Sequence, residues 1–286
     1  MSALPHVVGP VTGHSHTHTV ILLHGRDSEA EEFASEFFEC EATGPGSDRT
    51  LPALFPTIRW VFPRAKALRS ERFNIEMSQW FDMWSTEDPQ ERVELQIPGL
   101  QSSVDMILEL IREEELLVPR KRMFLAGISQ GFATAIAAFF AHGRGGFAGL
   151  CGFSSWLPLA NEAASEVLKG EHIGQQTAAM QRLYLHNSNR QQEPSSPLQL
   201  ISTPILLEHC HDDEVISIRN GTRMRDFLGQ LGLSVEWHDY MDQGHWINEP
   251  QGVDDFVHFF PEKDTNFGDA WSHFGPSIVL DMVKLG

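Results

Sequence analysis

Cysteine is scarce in this chain. Cys40, Cys151 and Cys210 show no C-x-x-C spacing, and three thiols make no even-numbered framework. A disulfide scaffold and a cysteine zinc site are therefore not expected. Basic residues are also few: 21 Lys and Arg stand against 39 Asp and Glu, a formal charge of −18. A surface this acidic repels phosphate backbones and anionic lipid, which argues against nucleic acid and membrane surfaces as partners. The start, MSALPHVVGP, lacks a basic stretch followed by an apolar one, so no signal peptide is visible and the cytoplasm is the expected compartment. Only one long apolar run stands out, residues 123–141 (MFLAGISQGFATAIAAFFA). Ser129, Gln130 and two glycines near its middle make it a buried strand, a tight turn and a small-residue helix rather than a bilayer crossing.

What is present is an ordinary globular composition, 41% hydrophobic and 21% charged over 286 residues, enough for one large domain or two small ones. Residues 17–23 (THTVILL) read as a buried strand ending at His24-Gly25. Ser28 to Glu31 form a capping-box pattern, and Ala30, Phe33, Ala34, Phe37 and Phe38 recur at helical spacing, predicting a helix over 28–40. Eight acids and no base lie between Asp27 and Asp48, read as a solvated helix face with acids favoured near its N-terminus. Further strands are expected at 58–62, 122–126, 147–153, 203–209 and 233–240, and further helices at 100–117, 130–142, 216–231 and 250–260. Residues 64–99 show no sustained period and are expected to be mostly loop. Strands alternating with helices imply parallel β-α-β units: an α/β fold with a mostly parallel central sheet and helices on both faces. Residues 160–202 read as an insertion with a helical patch at 163–168, and 261–286 as a tail. The organisation is then one domain over 1–286 with its core at 18–260.

The sharpest chemical signal is Gly127-Ile128-Ser129-Gln130-Gly131. G-x-S-x-G places a serine on a strained turn, and here a strand precedes it and a helix follows, the context the motif requires. A serine hydroxyl needs a base, and the base needs an orienting carboxylate. In such folds the chain order is Ser, acid, His. His245 follows Gly244 in a loop between the 233–240 strand and the last helix, where an imidazole can reach the sheet's C-terminal edge. For the acid, Asp213 is preferred and Asp212 is its rival, both at the end of the 203–209 strand. His14, His16 and His18 alternate as metal ligands on a strand would, but no carboxylate or cysteine lies close by in sequence to complete a set, so no metal is expected.

Together these stretches resemble the acyl-protein thioesterase and carboxylesterase (phospholipase/carboxylesterase) branch of the α/β-hydrolases. VILLHG resembles its first core strand and turn, Trp80-Phe81-Asp82 its W-F-D element, GISQG its nucleophile elbow, and Ser154 to Pro158 its S-x-W-L-P element. HDDEVI and Gly244-His245 resemble its acid and histidine loops. The resemblance implies Ser129, Asp213 and His245 as catalytic residues. It implies an oxyanion hole from the backbone amides of Arg26 and Gln130, and substrate contacts from Trp80, Phe81 and Trp156. It implies no cofactor, and as substrate a small-molecule ester or an acylated protein. Three positions depart from the family: Arg26 after H-G, Phe132 after the elbow, and Glu214 in place of the acid-loop proline. They bear on specificity and leave open a hydrolase fold kept as a binding protein. A peptidase gains no specific support, since no accessory domain is visible. The acids of 27–48 beside the presumed oxyanion turn imply a neutral ester or thioester at the reacting end.

Overall fold

A computed structural model describes residues 4–44, 48–185 and 196–260; the expected tail at 261–286 lies outside these. The elements run β1 (His6–Val8), β2 (His18–Leu23), α1 (Ala30–Glu39), α2 (Leu51–Leu54), β3 (Ile58–Phe62), β4 (Lys66–Arg69), β5 (Glu76–Gln79) and α3 (Gln96–Glu115). Next come β6 (Met123–Ile128), α4 (Gln130–His142), β7 (Gly149–Phe153), α5 (Ala160–Leu168), α6 (Ile173–Tyr184) and α7 (Pro197–Ile201). The described chain ends with β8 (Ile205–Cys210), α8 (Ile218–Gln230), β9 (Val235–Tyr240) and α9 (Gln251–Phe259).

Seven strands form the main sheet in the order β1-β3-β2-β6-β7-β8-β9. All neighbours pair parallel except β1, which runs antiparallel to β3 at the edge. Because side chains alternate across a strand, each central strand feeds two cores. Ile21 and Leu23 of β2 pack with α3, α4 and Met224 and Leu228 of α8, whereas Val20 and Leu22 pack with the Phe33–Phe37 face of α1 and Val253 and Phe256 of α9. Helix α4 is apolar nearly all round and fully covered from Gln130 to Ala141, as its composition demands.

This topology fixes where a site can be. The chain leaves β2 toward α1 on one face of the sheet and leaves the adjacent β6 toward α4 on the other. That is a topological switch point, where a crevice opens at the strands' C-terminal ends. His24-Gly25 and Ser129 are the residues at that edge, with Leu23 in register with Gly127.

Residues 64–99 are mostly loop, as expected, but they also hold β4 and β5, which form an antiparallel hairpin, and the start of α3 at Gln96. Gln79 is the one buried residue of the hairpin's two strands, so the hairpin carries no buried periodicity to read. The pattern at Ser28 caps nothing: the N-cap residue is Glu29, and no side chain closes the helix. Among the described residues the stretch 160–202 holds three helices, the first of them on the expected helical patch at 163–168; α6 packs under α4 and α5, and its Tyr184 stacks on Phe140 at 6.2 Å and donates to the Pro158 carbonyl at 2.6 Å. No helix among the described residues is long and apolar enough to cross a membrane.

Glu208 stands in the middle of β8, its side chain covered and neither carboxylate oxygen hydrogen-bonded among the described residues. Burial, then the charges of Asp255 and Glu236, push its carboxyl well above the ordinary range. Below the unfolded-state value near 4.5 the group is neutral in both states. Above it, ionisation favours the unfolded chain while the folded protein is denied it, so stability falls with rising pH. Urea unfolding at pH 4.5 and pH 8 should therefore show Glu208→Gln gaining stability relative to wild type at the higher pH.

Candidate active site

Ser129 occupies the turn between β6 and α4 at φ 55°, ψ −127°, a conformation that side chains rarely adopt. The turn holds because two neighbours are glycine. A Cβ on Gly131 would fall 2.3 Å from the Leu23 carbonyl oxygen, and one on Gly127 would fall 2.7 Å from the Phe132 amide nitrogen. The Ser129 amide donates to the Phe153 carbonyl at 2.8 Å, and Ser155 Oγ donates to the Ser129 carbonyl at 2.7 Å. The His24-Gly25 turn lies against the elbow: a Cβ built on Gly25 would be 3.8 Å from Ser129 Cβ. The backbone amides of Arg26 and Gln130 thus belong to two turns packed on one another, and Gln130 opens a helix whose first amides have no partner within it.

Asp213 follows β8. Its Oδ1 accepts from the amides of Val215 and Ile216, both at 2.9 Å. Its Oδ2 takes His245 Nδ1 at 2.8 Å, which leaves Nε2 as the free ring nitrogen of His245. Burial raises the Asp213 carboxyl, but hydrogen bonds from His209 and His245, the His245 charge and the Ile216 amide outweigh it and hold the group well below the usual carboxylate range. The rival, Asp212, serves the histidine loop instead. Its Oδ1 accepts the Gly244 amide at 2.8 Å and so fixes the segment that carries His245.

Two roles carry no signal in the sequence. His209, buried at the end of β8, brings Nε2 to 3.2 Å from Asp213 Oδ2 and 2.8 Å from the Ile216 carbonyl. Gln130 acts through its side chain as well: Oε1 accepts the Trp80 amide at 2.9 Å, and Nε2 donates to the Phe81 carbonyl at 2.8 Å. Neither a histidine at a strand end nor a glutamine after the elbow announces such bonds by its residue type.

The expected substrate aromatics divide. Trp80 and Phe81 are each 0% exposed. Trp80 Nε1 donates to the His24 carbonyl at 2.8 Å, and its ring lies 5.0 Å from that of His24. Both residues form packing behind the site and present no accessible face to a substrate. Trp156, by contrast, lines a cavity. The Arg26 guanidinium is also engaged: Nε donates to Gln79 at 2.9 Å, Nη2 to Ser70 at 3.1 Å, and Asp82 lies 3.8 Å away. It ties the turn after His24-Gly25 to the β4–β5 hairpin and is not free for a substrate anion. Burial lowers His24 to about 4, so this ring is neutral at ordinary pH, with Nε2 accepting the Ala65 amide. His16 bonds Thr19 and His18 bonds Thr17, and no metal-holding group of three His, Cys, Asp or Glu exists among the described residues.

Gln130→Ala should leave the Trp80 amide and the Phe81 carbonyl buried without partners, at about 1–3 kcal/mol each. Urea denaturation should accordingly show a lower midpoint with an unchanged slope.

Residues 6–182 match the phospholipase/carboxylesterase family, and residues 103–263 also match the prolyl oligopeptidase family. Acyl-protein thioesterase 1 of Neurospora crassa is 23% identical over 248 residues, which cover 85% of this chain and 86% of that protein. Its namesake in Yarrowia lipolytica is 26% identical over 235 residues, covering 81% and 86%. The crystal structure of Zea mays acyl-protein thioesterase 2 superposes with a TM-score of 0.62 at 24% identity, over 89% of this chain and 96% of that one. The Bacillus cereus carboxylesterase superposes at 0.53 with 13% identity, over 90% and 94%. The two matches share the elbow; the peptidase match extends from it over the acid and histidine loops, and the first match extends over the His24-Gly25 turn and the Trp80-Phe81-Asp82 segment. The chain therefore belongs to the phospholipase/carboxylesterase family of the α/β-hydrolase fold.

Proposed function

We propose that the chain hydrolyses carboxylic esters and thioesters through an acyl-enzyme on Ser129. The observation that carries this reading is the 2.8 Å bond between Asp213 and His245 Nδ1. It stands at the same sheet edge as a serine held at φ 55°. Ser129 Oγ attacks the substrate carbonyl carbon while His245 Nε2 takes its proton. The tetrahedral oxyanion is received by the amides of Arg26 and Gln130, and such a donor typically contributes about 10²–10³ in turnover. Collapse expels the alcohol or thiol, which takes the proton back from His245. Water, activated by the same ring, then attacks the acyl-enzyme, and Ser129 is released with the carboxylic acid. Asp213, already ionised and fully hydrogen-bonded, holds the ring's tautomer and stabilises its charged form.

A narrower reading, acyl-protein thioesterase, is supported by the names of the fungal and maize relatives. One local feature agrees with it: the β4–β5 hairpin exposes Phe73 at 52% and Ile75 at 54%, apolar surface on the element pinned to the oxyanion turn by Arg26. A panel of esters and thioesters of increasing acyl length separates the two. Rates that rise with chain length and favour thioesters support the narrower one.

A fluorophosphonate probe should label the wild type rapidly and Ser129→Ala not at all. The same substitution should lower kcat on short p-nitrophenyl esters by about 10⁴–10⁶. Asp213→Asn should cost about 10³–10⁴, whereas Asp212→Asn, acting only through loop position, should cost about tenfold. A folded wild type that neither labels nor hydrolyses would make the protein a binder with a hydrolase fold.

A further inference from the structure

His209 is buried against Asp213, yet no step of the proposed reaction uses it. It stands at the end of β8 and is 2% exposed. A glycine makes room for its ring: a Cβ on Gly221 of α8 would fall 2.6 Å from His209 Nδ1. From β9 the Trp237 ring lies 6.4 Å away, tilted by 32°. Held between these two, the ring turns Nε2 toward the acid loop. There the Ile216 carbonyl lies 2.8 Å away and Asp213 Oδ2 3.2 Å away. Both neighbours are acceptors, so a ring proton belongs on Nε2, and the positive edge of the ring lies against the carboxylate.

Asp213 Oδ2 is thus shared by two imidazoles, His209 through Nε2 at 3.2 Å and His245 through Nδ1 at 2.8 Å. One consequence is direction. His209 holds the Ile216 carbonyl while the Ile216 amide holds Asp213 Oδ1, so β8 itself closes the acid loop. The other is strength. An oxygen that already faces one N–H presents less negative charge to a second, so a protonated His245 is held less tightly than by a carboxylate facing it alone. Burial raises the Asp213 carboxyl, and His209 comes first among the groups that outweigh burial, ahead of His245. The other groups around the pair are engaged or neutral. Gly221 and Trp237 do not ionise, and Arg225 of α8 lies over the Trp237 ring at 5.3 Å. Asp239, in register with His209 on β9, is turned to His211 at 2.8 Å, and Asp212 Oδ1 to the Gly244 amide. Burial, then Asp212 and Asp213, push the Cys210 thiol up to about 12, so it stays protonated.

We propose that His209 is a positioning residue for the hydrolysis: its Nε2–H fixes Asp213 Oδ2 toward His245 and tempers the charge that the His245 imidazolium meets. Its effect on turnover rests on the reading above, and its effect on the His245 ring does not.

Three variants separate this role from packing. Glutamine can set an amide N–H close to where Nε2 stands, whereas asparagine and leucine cannot. The His245 ring is titrated by NMR in ¹⁵N-labelled protein, so that turnover plays no part. In His209→Asn and His209→Leu its midpoint should lie about half to one pH unit above that of wild type, and His209→Gln should return it most of the way. The acid limb of the kcat/KM profile on p-nitrophenyl acetate should move with it. The plateau should fall about tenfold in His209→Asn and recover in His209→Gln. In the wild type, the His209 Nε2 proton signal should shift as His245 titrates, which needs no variant. A midpoint unmoved in folded His209→Asn or His209→Leu, a His209→Gln midpoint displaced as far as theirs, or a wild-type His209 signal indifferent to His245 overturns the proposal. A wild type whose rings respond as stated but which hydrolyses no ester sinks the hydrolase reading instead.

Discussion

The contact on which everything else depends is the crossing of two backbones at the switch point. The last carbonyls of β2 and the first turn of α4 approach so closely that a single added carbon at Gly131 would overlap them, at 2.3 Å from Leu23 O and 2.4 Å from His24 O. Glycine makes the crossing possible, and the crossing in turn holds Ser129 in a backbone conformation it would not adopt alone. The consequences spread outward by hydrogen bonds. Gln130 grips the Trp80–Phe81 backbone, Ser103 donates to the Trp80 carbonyl, and Trp80 reaches back to His24. The loop is closed: the turn that carries the Arg26 amide is bonded to a segment that is bonded to the elbow carrying the Gln130 amide. Shifting one of these pieces shifts the rest, which is how a site on loops gains the rigidity of the sheet beneath it.

The second half of the site is built differently, around a buried charge. Asp213 is covered, so its ionised form survives only because the surroundings supply donors for every lone pair that matters: two amides on one oxygen and two imidazoles on the other. Glu208, a few residues earlier, shows the opposite outcome. It is equally covered, has no donors, and is pushed toward the neutral form. Two carboxyls five residues apart are thus pushed in opposite directions by what faces them: N–H groups and imidazoles for Asp213, other acids for Glu208. The one that must stay charged has been given the donors.

Much of this is legible in the sequence, and the limits are physical. The parallel core strands announce themselves because both faces are buried and their residues are apolar throughout, as in MFLAGI and ILL of β8. The elbow is legible because only glycine tolerates its two close approaches. The β4–β5 hairpin is silent because its strands, KALR and EMSQ, bury only Gln79 and lack an apolar face to mark them. Trp80 and Phe81 expose a different limit. An aromatic pair beside a motif reads equally as wall or as packing, and only the bonds to Gln130 and His24 decide for packing. His209 is one of several histidines downstream of the elbow, and nothing local distinguishes a ring that braces the acid from one in solvent. The choice of Asp213 over Asp212 depends on the direction in which a turn points its side chains. That direction is set by the Val215 and Ile216 amides, a backbone property that residue types do not encode.

The acidity of the chain acquires a direction from this arrangement. The acids of α1 lie on its exposed face, at Glu31, Glu32, Glu36 and Glu39, while Phe33 and Phe37 turn inward. Arg26, the cation of the oxyanion turn, is consumed by Gln79, Ser70 and Asp82. A neutral ester meets no penalty in such a place. Its acid product does, because hydrolysis creates a negative charge near a fixed and poorly screened Asp213 carboxylate, and repulsion in low dielectric is several times stronger than in water. On the proposed reaction, the same field that tolerates the substrate expels the product.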